Sequence, residues 1–418
     1  MVVFRPFRAL RPKDNNLAEK IASFPYDVVN SEEAREIAKD NPYSFLHVVK
    51  PEIDLAEFFE GKLSLYDDTV YAKAKENLGK FRQAGWLIQD DKPSFYIYRQ
   101  IMKNHSQYGI VGCVSGQDYW NDKIKKHELT RKDKEKDRIR HTDTINANAG
   151  PVFLFHPTLS EIDDVIKKIT KAQPLYDFTK EDGITHTVWK ITEDKLNEDI
   201  IKIFSGIPHV YVADGHHRTA TGAIIAKRRT EANSDHSGEE EYNFFLAVIF
   251  PAEQLQILDY NRVIKDLNGL STDEFVKKVA EKFEIRKNYK DRKPTRKGTF
   301  GMYVDGKWYL VTAKPGTYPS GDPIKSLDIS ILMNNLLGPI LGIGDPRTDK
   351  RIDFVGGIRG MDELERRTKK DMRIAFSLYP ISIEELMKVA DSGLQMPPKV
   401  TWFEPKLRSG LLIHGYSD

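Results

Sequence analysis

The chain has 418 residues, enough for two or three domains, and its 40% hydrophobic and 30% charged residues give a globular composition able to bury a core. A formal net charge of +2 supplies no global field toward nucleic acid or an anionic membrane, so anion binding has to come from local clusters. The single cysteine, Cys113, excludes an intrachain disulfide framework and a multi-cysteine zinc site, and fits a reducing compartment.

The opening MVVFRPFRALRPKDNN lacks an apolar core of signal-peptide length. Nowhere do the roughly 18 apolar residues of a membrane helix run together, so a soluble cytoplasmic protein without membrane contact is expected. SFPYDVVNSEEAREIA (Ser23 to Ala38) predicts an extended approach through Pro25 into a helix capped by Asn30 or Ser31. NPYSFLHVVKPE (Asn41 to Glu52) predicts a loop and then a strand, with His47 in a structural role. SFYIYRQ (Ser94 to Gln100) and YGIVGCVS (Tyr108 to Ser115) are rich in aromatic and β-branched residues and predict a strand pair. Lys123 to Thr144 predicts a helix that lines up Arg131, Lys134 and Arg138 in one basic stripe.

PVFLFHP (Pro151 to Pro157) predicts a buried strand. Ser160 to Gln173 follows as a helix with Ser160 as N-cap, burying Ile162, Val165, Ile166 and Ile169. HVYVADG, a helix with Ala220, Ala223 and Ile224 on one face, and NFFLAVIFP then predict a βαβ unit. Lys227, Arg228 and Arg229 complement the dipole at that helix's end, and RTEANSDHSGEEE after it is a polar, mobile link. TFGMYVDGKWYLVTA places Asp305-Gly306 between two apolar runs, a hairpin. The expected class is mixed α/β (α+β), in three regions: 1–120 with a candidate catalytic aspartate, 121–285 with the basic helix and the Asp-Gly-His-His-Arg turn, and 286–418 with the Pro-Pro-Lys loop.

The chemistry concentrates where HVYVADG becomes a helix. Gly215 allows a sharp turn, and the first helical N–H groups then lack intrahelical acceptors and favour anions, phosphate above all. Arg218 adds a two-pronged donor, His216 and His217 ring N–H groups, Thr219 and Thr221 hydroxyls. Asp214 suits Mg²⁺, the orientation of a histidine, or acid/base work better than direct phosphate contact. A plain alternative is Asp214 as helix cap beside two solvated histidines, and a zinc site is a weaker one. Asp27 is either a proton acceptor or the cap of a turn; the 123–144 stripe either reaches phosphates or is a solvated face; Lys399 and Lys406 offer point charges to phosphate or carboxylate from a loop that packing alone also explains. No P-loop and no Gly-x-Gly-x-x-Gly fingerprint is present.

YVADGHHR resembles the signature of a bacterial family catalogued as a domain of unknown function, the one numbered ten-fifteen. FPYDVVNSEEA, KKHELTRKDKEKDR, RIDFVGG and MPPKVTWFEPKLRSGL resemble further blocks of that family in the same order, over nearly the whole chain. The Asp-Gly-His-x-Arg element also resembles that of the free serine kinases of the ParB/sulfiredoxin-like fold, where it binds nucleotide phosphates at a helix start. The resemblance implies a ParB/sulfiredoxin-like nucleotide-binding core with additional α/β elements. It implies ATP with Mg²⁺ as cofactor and the conversion of free L-serine to O-phosphoserine. Asp27, Asp214, His216 and Arg218 become the candidate catalytic residues, Asp27 as base by analogy. Gly215, His216, His217, Arg218, Thr219, Arg131, Arg138 and Lys399 become candidate nucleotide ligands, and Tyr26, His127, Glu128, Thr130 and Lys406 candidate acceptor ligands. Two other classes stay open: a nucleotide-binding regulatory or DNA-associated module, which the near-zero charge and the lack of a helix-turn-helix disfavour, and a metal-dependent phosphoester hydrolase using the histidines.

Overall fold

The computed structural model describes residues 1–417. The chain divides into two units, Met1–Leu255 with Pro405–Asp418, and Gln256–Glu404, so the C-terminal segment returns to the first unit. The class is the expected mixed α/β. Among the described residues no helix is long and apolar enough to cross a membrane.

The first unit is built on a nine-stranded sheet. Its path runs Ile124–Lys125, Val210–Asp214, Val152–His156, Phe244–Pro251, His105–Ser115, Tyr96–Met102, Ile184–Lys190 and Tyr176–Thr179, with Phe4–Arg5 pairing beside His105–Ser115. The aromatic, β-branched runs form the expected hairpin, Met102 opposite His105. Val152–His156 is buried along its whole length, as its composition predicts. The core on this sheet gathers Phe4, Phe95, Trp189, Phe204 and Phe245 with Ile162, Val165, Ile166 and Ile169 of the helix Ser160–Ile169. Ser160 is the first helical residue and not its cap; Leu159 holds the cap position without a side-chain bond.

The βαβ expectation is corrected. Val210–Asp214 runs antiparallel to Val152–His156, and Val152–His156 runs parallel to Phe244–Pro251. The two strands flanking the helix His216–Ala232 are therefore neither adjacent nor parallel, because an earlier strand occupies the slot between them. Neighbour order in a sheet is a long-range property that a local strand–helix–strand pattern does not carry.

Asn41 to Glu52 is likewise not a loop and strand. It forms a short helix, Leu46–Val49, followed by a 3₁₀ turn at Pro51–Asp54. Burial of Leu46 and Val48 around Phe45 outweighs the strand preference of Val48 and Val49. His47 has the structural role expected of it, bonding Asp54 at 2.7 Å. Asn30 caps Ser31–Ala38 in a capping box with Glu33, one of the two caps anticipated. The basic helix spans Lys132–Ile145, so Arg131 is its cap residue and falls outside the stripe.

The helix His216–Ala232 packs on Lys132–Ile145 and on Phe244–Pro251. Close approach to the strand needs Gly222, where an added Cβ would lie 2.5 Å from the Phe245 ring. Its buried face carries Ala220, Ala223, Ile225 and Ala226; Ile224 is only partly covered.

The second unit is a six-stranded antiparallel sheet, Phe283–Lys287, Lys307–Ala313, Thr299–Val304, Ile374–Leu378, Tyr260–Ile264 and Ile352–Gly356 in order. Asp305 and Gly306, both left-handed at φ 49° and 73°, make the anticipated two-residue hairpin turn.

Candidate functional site

Val210–Asp214 ends at Gly215, whose φ of 92° and ψ of 34° turn the chain into the helix His216–Ala232. This left-handed position suits glycine, and it aims the opening N–H groups of the helix, those of His216, His217 and Arg218, away from any intrahelical acceptor. Arg218 curls back over the turn. Its Nη1 donates to the Pro151 carbonyl at 2.5 Å and its Nη2 lies 3.5 Å from the Asp214 carboxylate. Lys406 of the C-terminal segment brings a second cation to Asp214, at 3.7 Å. Burial would raise the Asp214 pKa, but Lys406, Arg218 and His216 together hold it below the usual carboxylate value.

Beside Arg218 lies a cavity of about 40 Å³. Arg138 and Tyr26 reach it from the basic helix and from the N-terminal segment, Thr221 from the helix after Gly215, and Ser409 from the C-terminal segment. Arg138 stacks its guanidinium 4.1 Å over the Tyr26 ring and bonds Asp137 through Nε at 2.8 Å. Asp137 in turn accepts from the Tyr71 hydroxyl at 2.8 Å, so the arginine is held rigidly. His141 bonds the Val48 carbonyl at 2.8 Å, and burial with Arg138 nearby lowers its pKa to about 3, which keeps the ring neutral. Burial also raises the Tyr26 pKa, against the pull of Arg138 and Arg218, so the phenol stays protonated. Asp27, next in the chain, is exposed at this edge.

The two histidines of the turn part company. His216 is buried edge-on against His127, ring centres 4.4 Å apart at 87°, with Glu128 at 3.9 Å. Burial lowers its pKa to about 4, and its Nε2 has no hydrogen-bond partner. His217 Nε2 instead accepts the Arg131 N–H at 3.0 Å. Burial lowers its pKa against the opposing pull of Asp27 and Glu135.

Of the anticipated residues, Tyr26, Arg138, Arg218 and Thr221 line the cavity; Asp214, Gly215 and Lys406 gather about Arg218 without lining it, and Asp27 follows Tyr26 in the chain. Thr219 is fully buried and gives its hydroxyl to the Gly215 carbonyl at 3.0 Å. Thr130 bonds Glu135 at the start of the basic helix, and the exposed Arg131 side chain pairs with Asp133 at 2.7 Å. Lys399 belongs to the second unit, where its ammonium lies 5.8 Å from the Tyr260 ring. Gly150 and Pro151, which border Arg218, escape sequence reasoning; a Gly-Pro pair before a strand signals a turn and nothing more.

No three His, Cys, Asp or Glu side chains gather in a metal-binding group among the described residues. Asp214, the carboxylate expected to help place Mg²⁺, is already engaged by two cations, which is a poor donor set for a divalent ion.

The sequence profile of a family described as "Protein of unknown function (DUF1015)" matches residues 4–330. No curated protein matches the chain. Among solved structures, a free serine kinase in complex with AMP is similar at TM-score 0.35 and 13% identity, over 70% of this chain and 89% of that one. A conserved hypothetical protein from Pyrococcus furiosus is similar at 0.33 and 14%, over 70% and 91%. A C-terminally truncated SbnI from Staphylococcus aureus is similar at 0.37 and 10%, over 73% and 87%. These are remote likenesses.

Proposed function

We propose that this chain, which belongs to the DUF1015 family of proteins of unknown function, is an ATP-dependent phosphotransferase acting on the hydroxyl of a small free acceptor. One observation carries the reading: Arg218, at an open helix start behind a left-handed glycine, meets Arg138 and Tyr26 at a single cavity. Phosphoryl transfer asks the protein mainly to position the reactants, neutralise phosphate charge and accept a proton. The helix start and Arg218 supply the charge. The acceptor hydroxyl attacks the γ-phosphorus, the bond to the β-γ bridging oxygen breaks, ADP leaves, and the hydroxyl proton passes to Asp27. L-serine as acceptor rests on the resemblance of the Asp-Gly-His-His-Arg element to that of free serine kinases. No step is routed through a protein-held metal ion, because Asp214 is a poor ligand for one.

A hydrolase using both histidines as metal ligands loses ground on geometry, since His216 packs on His127 while His217 bonds Arg131.

ADP release on addition of L-serine and other free hydroxy amino acids tests the proposal. Arg218→Ala is expected to weaken ADP binding by about 10- to 100-fold, the range of one or two lost charge-assisted hydrogen bonds. Asp27→Asn is expected to leave ADP affinity intact and lower turnover by about 10²- to 10⁴-fold. Unchanged affinity and turnover in Arg218→Ala would remove the basis of the assignment.

A further inference from the structure

The cavity beside Arg218 is short of hydrogen-bond partners at two buried groups. Thr221, 2% exposed, has a hydroxyl with no partner. The Arg218 Nε–H, also buried, has none. Ser409, 3% exposed, sets its Oγ only 2.8 Å from where a Cβ on Gly150 would stand, with Arg218 Nη1 at 3.9 Å from the same point. All three groups can donate. Buried polar groups in native proteins are nearly always satisfied, so an unpartnered hydroxyl and an unpartnered guanidinium N–H on residues lining one space call for an occupant, and the N–H can be met only by an acceptor.

Charge points the same way. Two guanidinium groups, those of Arg138 and Arg218, are among the residues that line the cavity, and no carboxylate side chain is. Neither His141 nor Tyr26 alters that balance at neutral pH, one being neutral and the other protonated. Val49, Val152, Phe245 and Leu246 complete the walls, and such an apolar lining strengthens any charge–donor contact made inside. A cavity of about 40 Å³ has room for roughly three water-sized groups, enough for a carboxylate.

We propose that this cavity is a carboxylate subsite, in which Thr221, Ser409 and Arg218 hold the acid end of a small hydroxy or amino acid. The inference rests on the phosphotransfer reading only for its purpose: with the carboxylate fixed here, the acceptor's hydroxyl is presented to the helix start at Gly215. Thr221 and Ser409 then become binding residues that select acceptors bearing an acid group.

Binding is measured without nucleotide, by titration calorimetry and thermal shift, using L-serine, L-lactate and L-serinamide. L-serine or L-lactate is expected to bind at least about 10-fold more tightly than L-serinamide, because a neutral amide forfeits the charge-assisted bonds. Thr221→Val, which keeps the shape, and Ser409→Ala should each weaken the acids by about 10-fold, and Thr221→Ser should restore binding because it keeps the donor. The proposal is overturned if neither acid binds, if serinamide binds equally well, if Thr221→Val and Ser409→Ala leave acid binding unchanged, or if a crystal soaked with L-serine shows only ordered water in the cavity. Acid binding that depends on Thr221 without any ADP release would keep the subsite and discard the kinase reading.

Discussion

Lys406, carried in by the C-terminal segment, sets its ammonium 3.7 Å from the carboxylate of Asp214 at the end of a central strand. Arg218 approaches the same carboxylate oxygen at 3.5 Å. Replacing Lys406 by Met removes the largest influence opposing burial there, so the Asp214 pKa should rise. A depressed carboxylate contributes stability above its unfolded value, and that stability is lost as pH falls through the folded value. Lys406→Met should therefore unfold at a higher pH during acid titration and lose about 1–2 kcal/mol at neutral pH, less than a fully buried pair because Asp214 is partly open. Lys406→Arg should stay near the parent. Identical acid transitions for the parent and Lys406→Met would contradict this account.

Gly215→Ala tests the turn itself. A side chain at φ 92° costs roughly 1–2 kcal/mol, and its Cβ would meet the Arg218 guanidinium carbon at 3.1 Å. Chemical denaturation should show that loss, and ADP affinity should fall with it as Arg218 is displaced. Gly215→Asn should be milder, because asparagine tolerates the left-handed region. A stable Gly215→Ala protein with unaltered ADP binding would mean that neither the turn nor Arg218 is strained by the added carbon.

Buried neutral histidines predict a particular pH response. His141 titrates near 3 and His216 near 4 in the folded chain because burial opposes their charging, while an unfolded histidine titrates near 6.5. Below about pH 6.5 the unfolded state takes up protons first, so stability falls with pH at about 1.4 kcal/mol per unit for each residue. The loss continues until the folded values are reached. His141→Gln keeps a donor for the Val48 carbonyl and removes the titration, so unfolding measured from pH 6 to pH 4 should show a slope shallower by one proton. An unchanged slope would show that His141 is not buried as a neutral ring.

Arg408 anchors the C-terminal segment that delivers Lys406 and Ser409. It is 2% exposed along its side chain, pairs with Asp182, donates to His186 Nε2 at 3.2 Å and stacks 4.0 Å over Phe24. Arg408→Met should destabilise the protein by about 1–3 kcal/mol, since the buried His186 ring nitrogen loses its donor while the exposed Asp182 can turn to water. Arg408→Lys should recover only part, because an ammonium cannot reproduce the planar fork. Because Phe24 leads into Pro25 and Tyr26, L-serine affinity should weaken in both variants; a Tm equal to that of the parent would remove the anchor argument.

Local chemistry was legible wherever neighbours in sequence decide the outcome. The Asn30–Glu33 capping box, the Asp305-Gly306 turn, the buried run Val152–His156 and the glycine turn into the helix at His216 follow from residue types a few positions apart. Misreadings occurred where a distant segment intervened. Leu46–Val49 became helical against the bias of its valines because Phe45 and Ile53 enclose it. The strands flanking His216–Ala232 were separated by one formed much earlier in the chain.

The candidate site divides along the same line. By itself the sequence determined that Gly215 and Arg218 stand at a strand-to-helix junction, since their order and spacing already dictate an open, anion-favouring helix start. Only the tertiary structure decided which groups join them. It chose Thr221 over Thr219 through the helical phase set by Gly222 against Phe245, and it kept Lys406 while leaving Lys399 in the second unit. The physical reason is range: caps and turns are settled over one helical turn, whereas a cavity wall is made by packing residues far apart in the chain, and nothing in their local sequence records which will meet.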